Sequence, residues 1–186
     1  MQTLIREDLY SQLEQLPESL TGEILNGQLY AHPRPGGKHV SIATNLSIDI
    51  GGPFHRGRGG PGGWRILVEP EVHLALDTDV VVPDVAGWRK ERLPTVPEGH
   101  KFTVVPDWIC EIFSPSTETI DKEIKMPLYA KYRVKYLWHI HPILKTLDAY
   151  KLENGEWITL GSFIAGERPR IEPFGEIEIN VNELMD

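Results

Sequence analysis

The segment VVPDWICEIF, residues 104–113, has the length and the Val, Ile and Trp content of a buried central strand. Glu111 interrupts this apolar run. A carboxylate inside a buried strand is costly unless a cation or a hydrogen-bond donor compensates its charge. The segment therefore predicts the centre of a β-sheet and an unusual acid within it.

A second strand-like segment, DVVVPDVAGW (residues 79–88), carries Asp84 directly after Pro83. If the two strands are neighbours, Asp84 and Glu111 can share a divalent metal ion. A site made only of oxygen ligands favours Mg²⁺, or Mn²⁺, over Zn²⁺. Each acid could instead form an ion pair with a core arginine or cap a turn.

The chain turns helical in SPSTETIDKEIKMPLYAKY, residues 114–132. Asp121, Lys125 and Tyr129 recur every four residues and form one ridge of this helix. If the helix packs beside the Glu111 strand, Lys125 can reach the carboxylates and Asp121 and Tyr129 become candidate substrate-binding residues. The alternative is an ordinary Asp121–Lys125 ion pair on the surface.

The N-terminal half supplies three further elements. A short helix is expected from about Arg6 to Leu16, where apolar residues have helical spacing before Pro17. The segment GEILNGQLYA (residues 22–31) predicts a hairpin around Asn26-Gly27, with Glu23 on its first arm. Apolar residues of KHVSIATNLSIDI (residues 38–50) form one stripe of an amphipathic helix.

The other segments complete the fold prediction. Strands are expected in WRILVEPEVHLAL (64–76), VKYLWHIHP (134–142) and TLDAYKL (146–152), with one or two more after Gly155. The order predicts an α/β fold in which a central mixed sheet is flanked by helices, with an added N-terminal hairpin and C-terminal strands. The length suits one domain over residues 1–186.

Composition limits the classes of function. The N-terminus lacks the apolar core of a signal peptide, and no run approaches the roughly 20 apolar residues that span a bilayer, so we expect a cytoplasmic protein with no membrane partner. The lone Cys110 excludes a disulfide framework and a cysteine-based zinc site.

The net charge of −8 argues against a nucleic-acid partner, because Lys and Arg supply most of the affinity for phosphates. Positive charge could still be local, since basic residues cluster between Arg34 and Arg58. The glycine-rich segment GGPFHRGRGGPGG (51–63) is expected to be irregular and flexible. Its Arg56 and Arg58 could close over a phosphate backbone, or the loop could be a solvated one with no function.

Several co-linear motifs together resemble the bacterial Uma-two family, which is classed among the restriction endonucleases of the PD-(D/E)XK superfamily. They are PDVAGW (83–88), PDWICEIFSPST (106–117), DKEIK (121–125) with PLYA (127–130), and VKYLWHIHP (134–142). The match extends upstream and covers roughly Gly22 to Leu152. The resemblance implies a restriction-endonuclease-like fold and a Mg²⁺-dependent endonuclease that acts on DNA, with Asp84 and Glu111 as its two acids.

Phe113 stands where the superfamily signature has its lysine. The resemblance implies that Lys125 supplies this group from the helix, with Lys122 a weaker substitute. It also implies that Glu23 completes the metal shell and that His39 faces the substrate, although both could be plain surface residues. Many restriction-type enzymes cut as two-fold pairs, so a homodimer is expected.

Two rival functions stay open at this point. His139 and His141 share one strand face, where the resemblance leads us to expect an acid near His141, and they could serve a histidine-based metal hydrolase or cupin-like barrel. The negative net charge and the missing lysine after Glu111 could instead indicate a catalytically silent DNA-binding or assembly module of the same fold.

Overall fold

The strands of this chain form two β-sheets in the computed structural model, which describes residues 8–186. The strands are β1 Leu20–Leu25, β2 Gln28–Pro33, β3 Trp64–Val68, β4 Glu71–Ala75, β5 Asp79–Val81, β6 Val85–Arg89, β7 Lys101–Phe102, β8 Trp108–Ile112, β9 Tyr136–His141, β10 Thr146–Glu153 and β11 Glu156–Ile164. A five-stranded sheet has the order β2-β1-β5-β4-β7, and a six-stranded sheet has the order β11-β10-β9-β8-β6-β3.

The helices are fewer and shorter than the strands. They are α1 Leu9–Glu14, α2 Gly37–Ile50, α3 Glu118–Ile120, α4 Met126–Lys131 and α5 Val181–Leu184. A π-helical turn over Gly51–His55 follows α2 directly, and a second over Asp121–Lys125 joins α3 to α4. Across residues 8–186, no helix combines the length and apolar character that crossing a bilayer requires.

Strand β8 occupies the middle of the six-stranded sheet and is buried along its whole length. It pairs antiparallel with β6 and parallel with β9, so the sheet is mixed, as the sequence predicts. Because side chains alternate along a strand, Trp108, Cys110 and Ile112 pack toward α2, whereas Ile109 packs toward α4 and the five-stranded sheet. The same alternation directs Glu111 toward α4.

The two sheets meet where the chain passes from β5 to β6. Only residues 82–84 separate these strands, and each strand belongs to a different sheet. The hairpin of β1 and β2 enters the five-stranded sheet through the pairing of Ile24 with Val80. Its turn is formed by Asn26 and Gly27, whose φ angles of 51° and 76° match the predicted tight hairpin turn.

Several local expectations need correction. Helix α1 begins at Leu9, and the Arg6 end of the predicted helix lies outside the described residues. The glycine-rich segment is not irregular throughout, because Gly51–His55 continues α2. The buried ring of Phe54 explains this result, since burial in the core outweighs the weak helix propensity of glycine.

After β11 the chain forms no further strand before the short helix α5. Instead, the ring of Phe174 lies among the rings of Phe54, Trp64 and Trp108, with centroid separations of 4.7, 5.0 and 4.9 Å. This aromatic cluster attaches the C-terminal segment to the α2 side of the six-stranded sheet.

Phe174→Ala should lower the free energy of unfolding by about 3–5 kcal/mol, because it leaves a cavity among rings that cannot collapse to fill it. Urea denaturation followed by tryptophan fluorescence measures this change. Ile164→Ala, at an exposed apolar position on β11, is the control and should shift the value by less than about 0.5 kcal/mol. Equal effects of the two variants would contradict the role of Phe174 in attaching the C-terminal segment to the sheet.

Candidate active site

The ammonium group of Lys125 lies among three carboxylates although its side chain is only 3% exposed. Its Nζ atom is 2.8 Å from Glu111 Oε1, 2.9 Å from Glu23 Oε1 and 3.4 Å from Asp121 Oδ1. All three acids are themselves buried. Glu23 comes from the five-stranded sheet and Glu111 from the six-stranded sheet, so this lysine links the two sheets.

The π-helical turn presents Asp121 and Lys125 on the same buried side. Within it, the backbone N–H of Met126 donates to the carbonyl of Asp121, five residues earlier. Such wide turns occur often at functional sites. The predicted ridge is completed by Tyr129 on α4, whose hydroxyl donates a hydrogen bond to Glu111 Oε1.

Asp84 reaches the same region from the link between the sheets. Its Oδ2 atom accepts a hydrogen bond from the backbone N–H of Ile112 at 2.6 Å, and its Oδ1 atom lies 2.6 Å from His39 Nε2. Since Val85 pairs with Cys110, continuing the antiparallel register by one residue sets Asp84 opposite Glu111. The prediction of two acids on neighbouring strands therefore describes the geometry correctly.

A cavity of about 120 Å³ collects these groups. Asp84, Glu111, Asp121 and Lys125 line it together with His39. This space is large enough for an ion with a few waters or for a phosphate group. Further lining residues are His32, Arg34, Glu69, Ser114 and Thr117.

The buried carboxylates hold Lys125 in its charged form. Burial by itself would lower the pKa of Lys125, but the charges of Glu111 and Glu23 outweigh burial and raise that pKa well above its ordinary value. The lysine is therefore an ammonium donor at neutral pH.

The pKa values of the surrounding acids shift in opposite directions. Burial raises the pKa of Glu111 well above its ordinary value, and burial raises that of Asp121 to about 6 although Lys125 opposes the shift. For Glu23, burial is overcome by Lys125, which lowers the pKa to about 2. Lys125 alone therefore does not stabilise the charged form of every acid, and a cation bound in the cavity would favour the charged forms of Glu111 and Asp121.

This donor set fits a small hard cation. Within residues 8–186, no three His, Cys, Asp or Glu side chains are grouped so that they alone could hold a metal ion. Mg²⁺, however, is commonly held by one or two carboxylates, with waters and substrate phosphates as its other ligands. Asp84 and Glu111 both line the cavity and provide the two carboxylates of such a site.

Other predicted residues lie elsewhere. Arg56 and Arg58 do not line the cavity. Lys122, the weaker candidate for the lysine role, pairs with Glu118 at 2.6 Å, and its side chain is 47% exposed.

The two strand histidines lie outside the cavity. His139 is buried beside the ring of Phe113, and burial lowers its pKa to about 3, so it is neutral. His141 lines a neighbouring cleft.

The sequence analysis missed His32, whose Nε2 atom lies 3.7 Å from Glu23 Oε2. The nearby Glu23 carboxylate raises the pKa of His32. A signal was available in the hairpin register, which pairs Glu23 with Tyr30. Residues two apart share a face of a strand, so His32 lies on the Glu23 side of β2.

Asp121→Asn should remove part of the pH dependence of stability. The folded protein binds a proton at Asp121 up to about pH 6, whereas the unfolded chain releases it near pH 3.8, so wild-type stability falls as pH rises between these values. The variant should therefore gain stability relative to wild type from pH 4 to pH 7, on the order of 1–3 kcal/mol. Urea denaturation at both pH values measures this gain. A gain that is the same at pH 4 and pH 7 would contradict the raised pKa of Asp121.

Comparisons with known proteins bear on the fold and on the family of this chain. No curated protein matches the sequence significantly. Among solved structures, a protein titled "putative nuclease belonging to DUF820 from Anabaena variabilis ATCC 29413" superposes with a TM-score of 0.70 at 21% identity, over 95% of this chain and 96% of that chain. This likeness confirms the expected fold. The model of the Uma2 family, described as "Putative restriction endonuclease", matches residues 8–182, and the chain therefore belongs to the Uma2 family.

Proposed function

We propose that this protein is a Mg²⁺-dependent endonuclease that hydrolyses DNA phosphodiester bonds at the cavity of Asp84, Glu111 and Lys125. Membership of a family described as restriction endonucleases supports a DNA substrate. The observation that carries the proposal is the buried Lys125 ammonium group, which contacts acids from both sheets and lines a small cavity together with Asp84 and Glu111. Such a charged cluster costs stability, so it indicates a functional role.

Asp84 and Glu111 would hold Mg²⁺, with Mn²⁺ as a substitute, whereas Glu23, expected to complete the metal shell, does not line the cavity. When bound, the cation stabilises the negative charge that develops on the scissile phosphate and on the leaving oxygen. Glu23 contributes indirectly in this arrangement, because one of its oxygens contacts Lys125 and also accepts from the backbone N–H of Val82 at 2.8 Å. Its role is to position Lys125.

Lys125 would donate a hydrogen bond to a phosphate oxygen or orient the attacking water. The carboxylates around Lys125 raise its pKa, which favours this donor role over removal of the proton from that water. The lysine thus performs, from the π-helical turn, the electrostatic task that the superfamily signature assigns to a residue at the place of Phe113. It does so without a lysine on β8.

Three neighbours position the reacting groups. Tyr129 holds one oxygen of Glu111, and Asp121 contacts Lys125. His39 contacts Asp84, which leaves the imidazole close to any substrate that enters the cavity. Arg56 and Arg58 lie outside the cavity, so we assign them at most contacts with distant phosphates.

Asp84→Asn and Glu111→Gln should each reduce the rate of DNA cleavage in Mg²⁺ by at least about 100-fold, because each removes charge from the metal position. Conversion of supercoiled plasmid and of labelled linear DNA measures the rate, with EDTA as the metal-free control. Lys122→Ala, at an exposed lysine of the same turn, is the matched control and should retain wild-type activity.

Two outcomes would contradict the proposal. Equal cleavage by Asp84→Asn and wild type would show that the site lies elsewhere. Salt-dependent DNA binding by the wild type with no cleavage in Mg²⁺ or Mn²⁺ would support the silent DNA-binding module instead. Circular dichroism of each variant confirms that a loss of cleavage is not a loss of folding.

Tyr129→Phe should raise the Mg²⁺ concentration needed for half-maximal cleavage, because Glu111 loses a donor that fixes its orientation. We expect a change of about 10-fold, with less effect on the rate at saturating Mg²⁺. A Mg²⁺ titration of the cleavage rate measures both quantities. An unchanged half-maximal concentration would show that Tyr129 only packs in the core.

A further inference from the structure

Four of the nine large hydrophobic side chains exposed within residues 8–186 lie in two clefts beside the candidate active site. They are Ile143, Ile48, Val68 and Val40, which are 75, 68, 53 and 49% exposed. Exposed apolar side chains gathered around a site mark a binding surface more often than isolated ones do. Their position raises the question of which part of a substrate they contact.

The first cleft, called here the turn cleft, measures about 580 Å³. It lies between the start of α2 and the turn after β9, and its apolar wall includes Phe113, Pro142 and Ile143. Gly36, His39 and Ser114 line both this cleft and the catalytic cavity. The turn cleft is thus continuous with the candidate active site.

The second cleft, called here the helix cleft, measures about 350 Å³ and lies between α2 and the edge strand β3. Val40, Ile48 and Val68 form its apolar wall. His39 and Asp84 line both the helix cleft and the catalytic cavity. The two clefts therefore adjoin the catalytic cavity, and His39 lines all three spaces.

The volumes of the catalytic cavity and of the two clefts suit different parts of a nucleotide. The catalytic cavity of about 120 Å³ suits a phosphate with an ion and waters. Each cleft falls within the roughly 300–1,000 Å³ typical of sites for small organic groups. A nucleobase offers a flat apolar face that can pack on the apolar side chains of a cleft, as bases stack on aromatic side chains in single-strand binding proteins.

The charge of the site favours the same assignment. Arg34, Lys38 and Lys125 are the Lys and Arg residues among the described residues that line these three spaces, and Lys125 is already paired with three carboxylates. The chain as a whole carries a net charge of −8. Neutralisation of duplex phosphates can therefore supply little affinity, and apolar contacts with bases must supply more.

We propose that the turn cleft and the helix cleft receive unpaired nucleobases on the two sides of the scissile phosphate. DNA with single-stranded stretches is then the preferred substrate, because bases within a continuous duplex are stacked and cannot enter the clefts. This inference rests on the proposed function for the position of the scissile phosphate. Base contact in the clefts is a separate claim that binding alone can test.

The experiment measures fluorescence anisotropy of labelled oligonucleotides of about 12 nucleotides, with Ca²⁺ in place of Mg²⁺. The probes are a single strand, a hairpin duplex and an abasic single strand with the same number of phosphates. The variants are Ile143→Ala in the turn cleft and Ile48→Ala in the helix cleft. Leu76→Ala, at an exposed apolar position outside both clefts, is the matched control.

We expect the single strand to bind at least about 10-fold more tightly than the duplex or the abasic strand. Each cleft variant should weaken single-strand binding about three- to tenfold, and Leu76→Ala should not. If Arg34 and Lys38 supply the phosphate contacts within these spaces, the slope of log affinity against log salt should be no steeper than about −1.5.

Equal or tighter binding of the duplex, equal binding of the abasic strand, or no binding of any probe would overturn the inference. So would sedimentation showing a dimer that Ile48→Ala or Ile143→Ala dissociates, since the clefts would then receive a second copy of the chain. Preferential single-strand binding without cleavage in Mg²⁺ would refute the proposed nuclease activity and leave the base-binding clefts in place. Cleavage of duplex DNA by the wild type and equally by both cleft variants would refute the base-binding clefts and leave the proposed nuclease activity in place.

Discussion

The structure depends on one buried charge, the ammonium group of Lys125. It contacts Glu23 from the five-stranded sheet, Glu111 from the six-stranded sheet and Asp121 from its own helical turn. A buried cation without partners would cost several kcal/mol, and so would the acids if the cation were absent. Each member of the cluster is therefore tolerated only because the others are present, and their mutual requirement fixes how the two sheets meet.

The sequence was sufficient for the acids and for the lysine, because each breaks a local pattern. Glu111 interrupts an apolar strand, Asp84 ends one, and Lys125 repeats Asp121 at helical spacing. These features predicted the central mixed sheet and the residues that line its cavity. The hairpin of β1 and β2 was equally readable, since the Asn26-Gly27 turn needs the φ angles that are observed.

What the sequence could not provide depends on contacts between distant segments. Strands β5 and β6 read as one segment, yet they join different sheets, because strand pairing is decided by partners far along the chain. The π-helical turn at Asp121 is set by packing rather than by residue preference. The contact of His39 with Asp84 spans 45 residues, and no local pattern encodes it.

The aromatic cluster around Phe174 has a consequence for synthesis of the protein. The rings of Phe54, Trp64 and Trp108 stay uncovered in a nascent polypeptide until this late residue has left the ribosome. Prematurely terminated products would therefore expose a large hydrophobic surface, which chaperones and proteases recognise. Under the proposed nuclease function, such dependence on a late segment would keep incomplete translation products from accumulating as active enzyme.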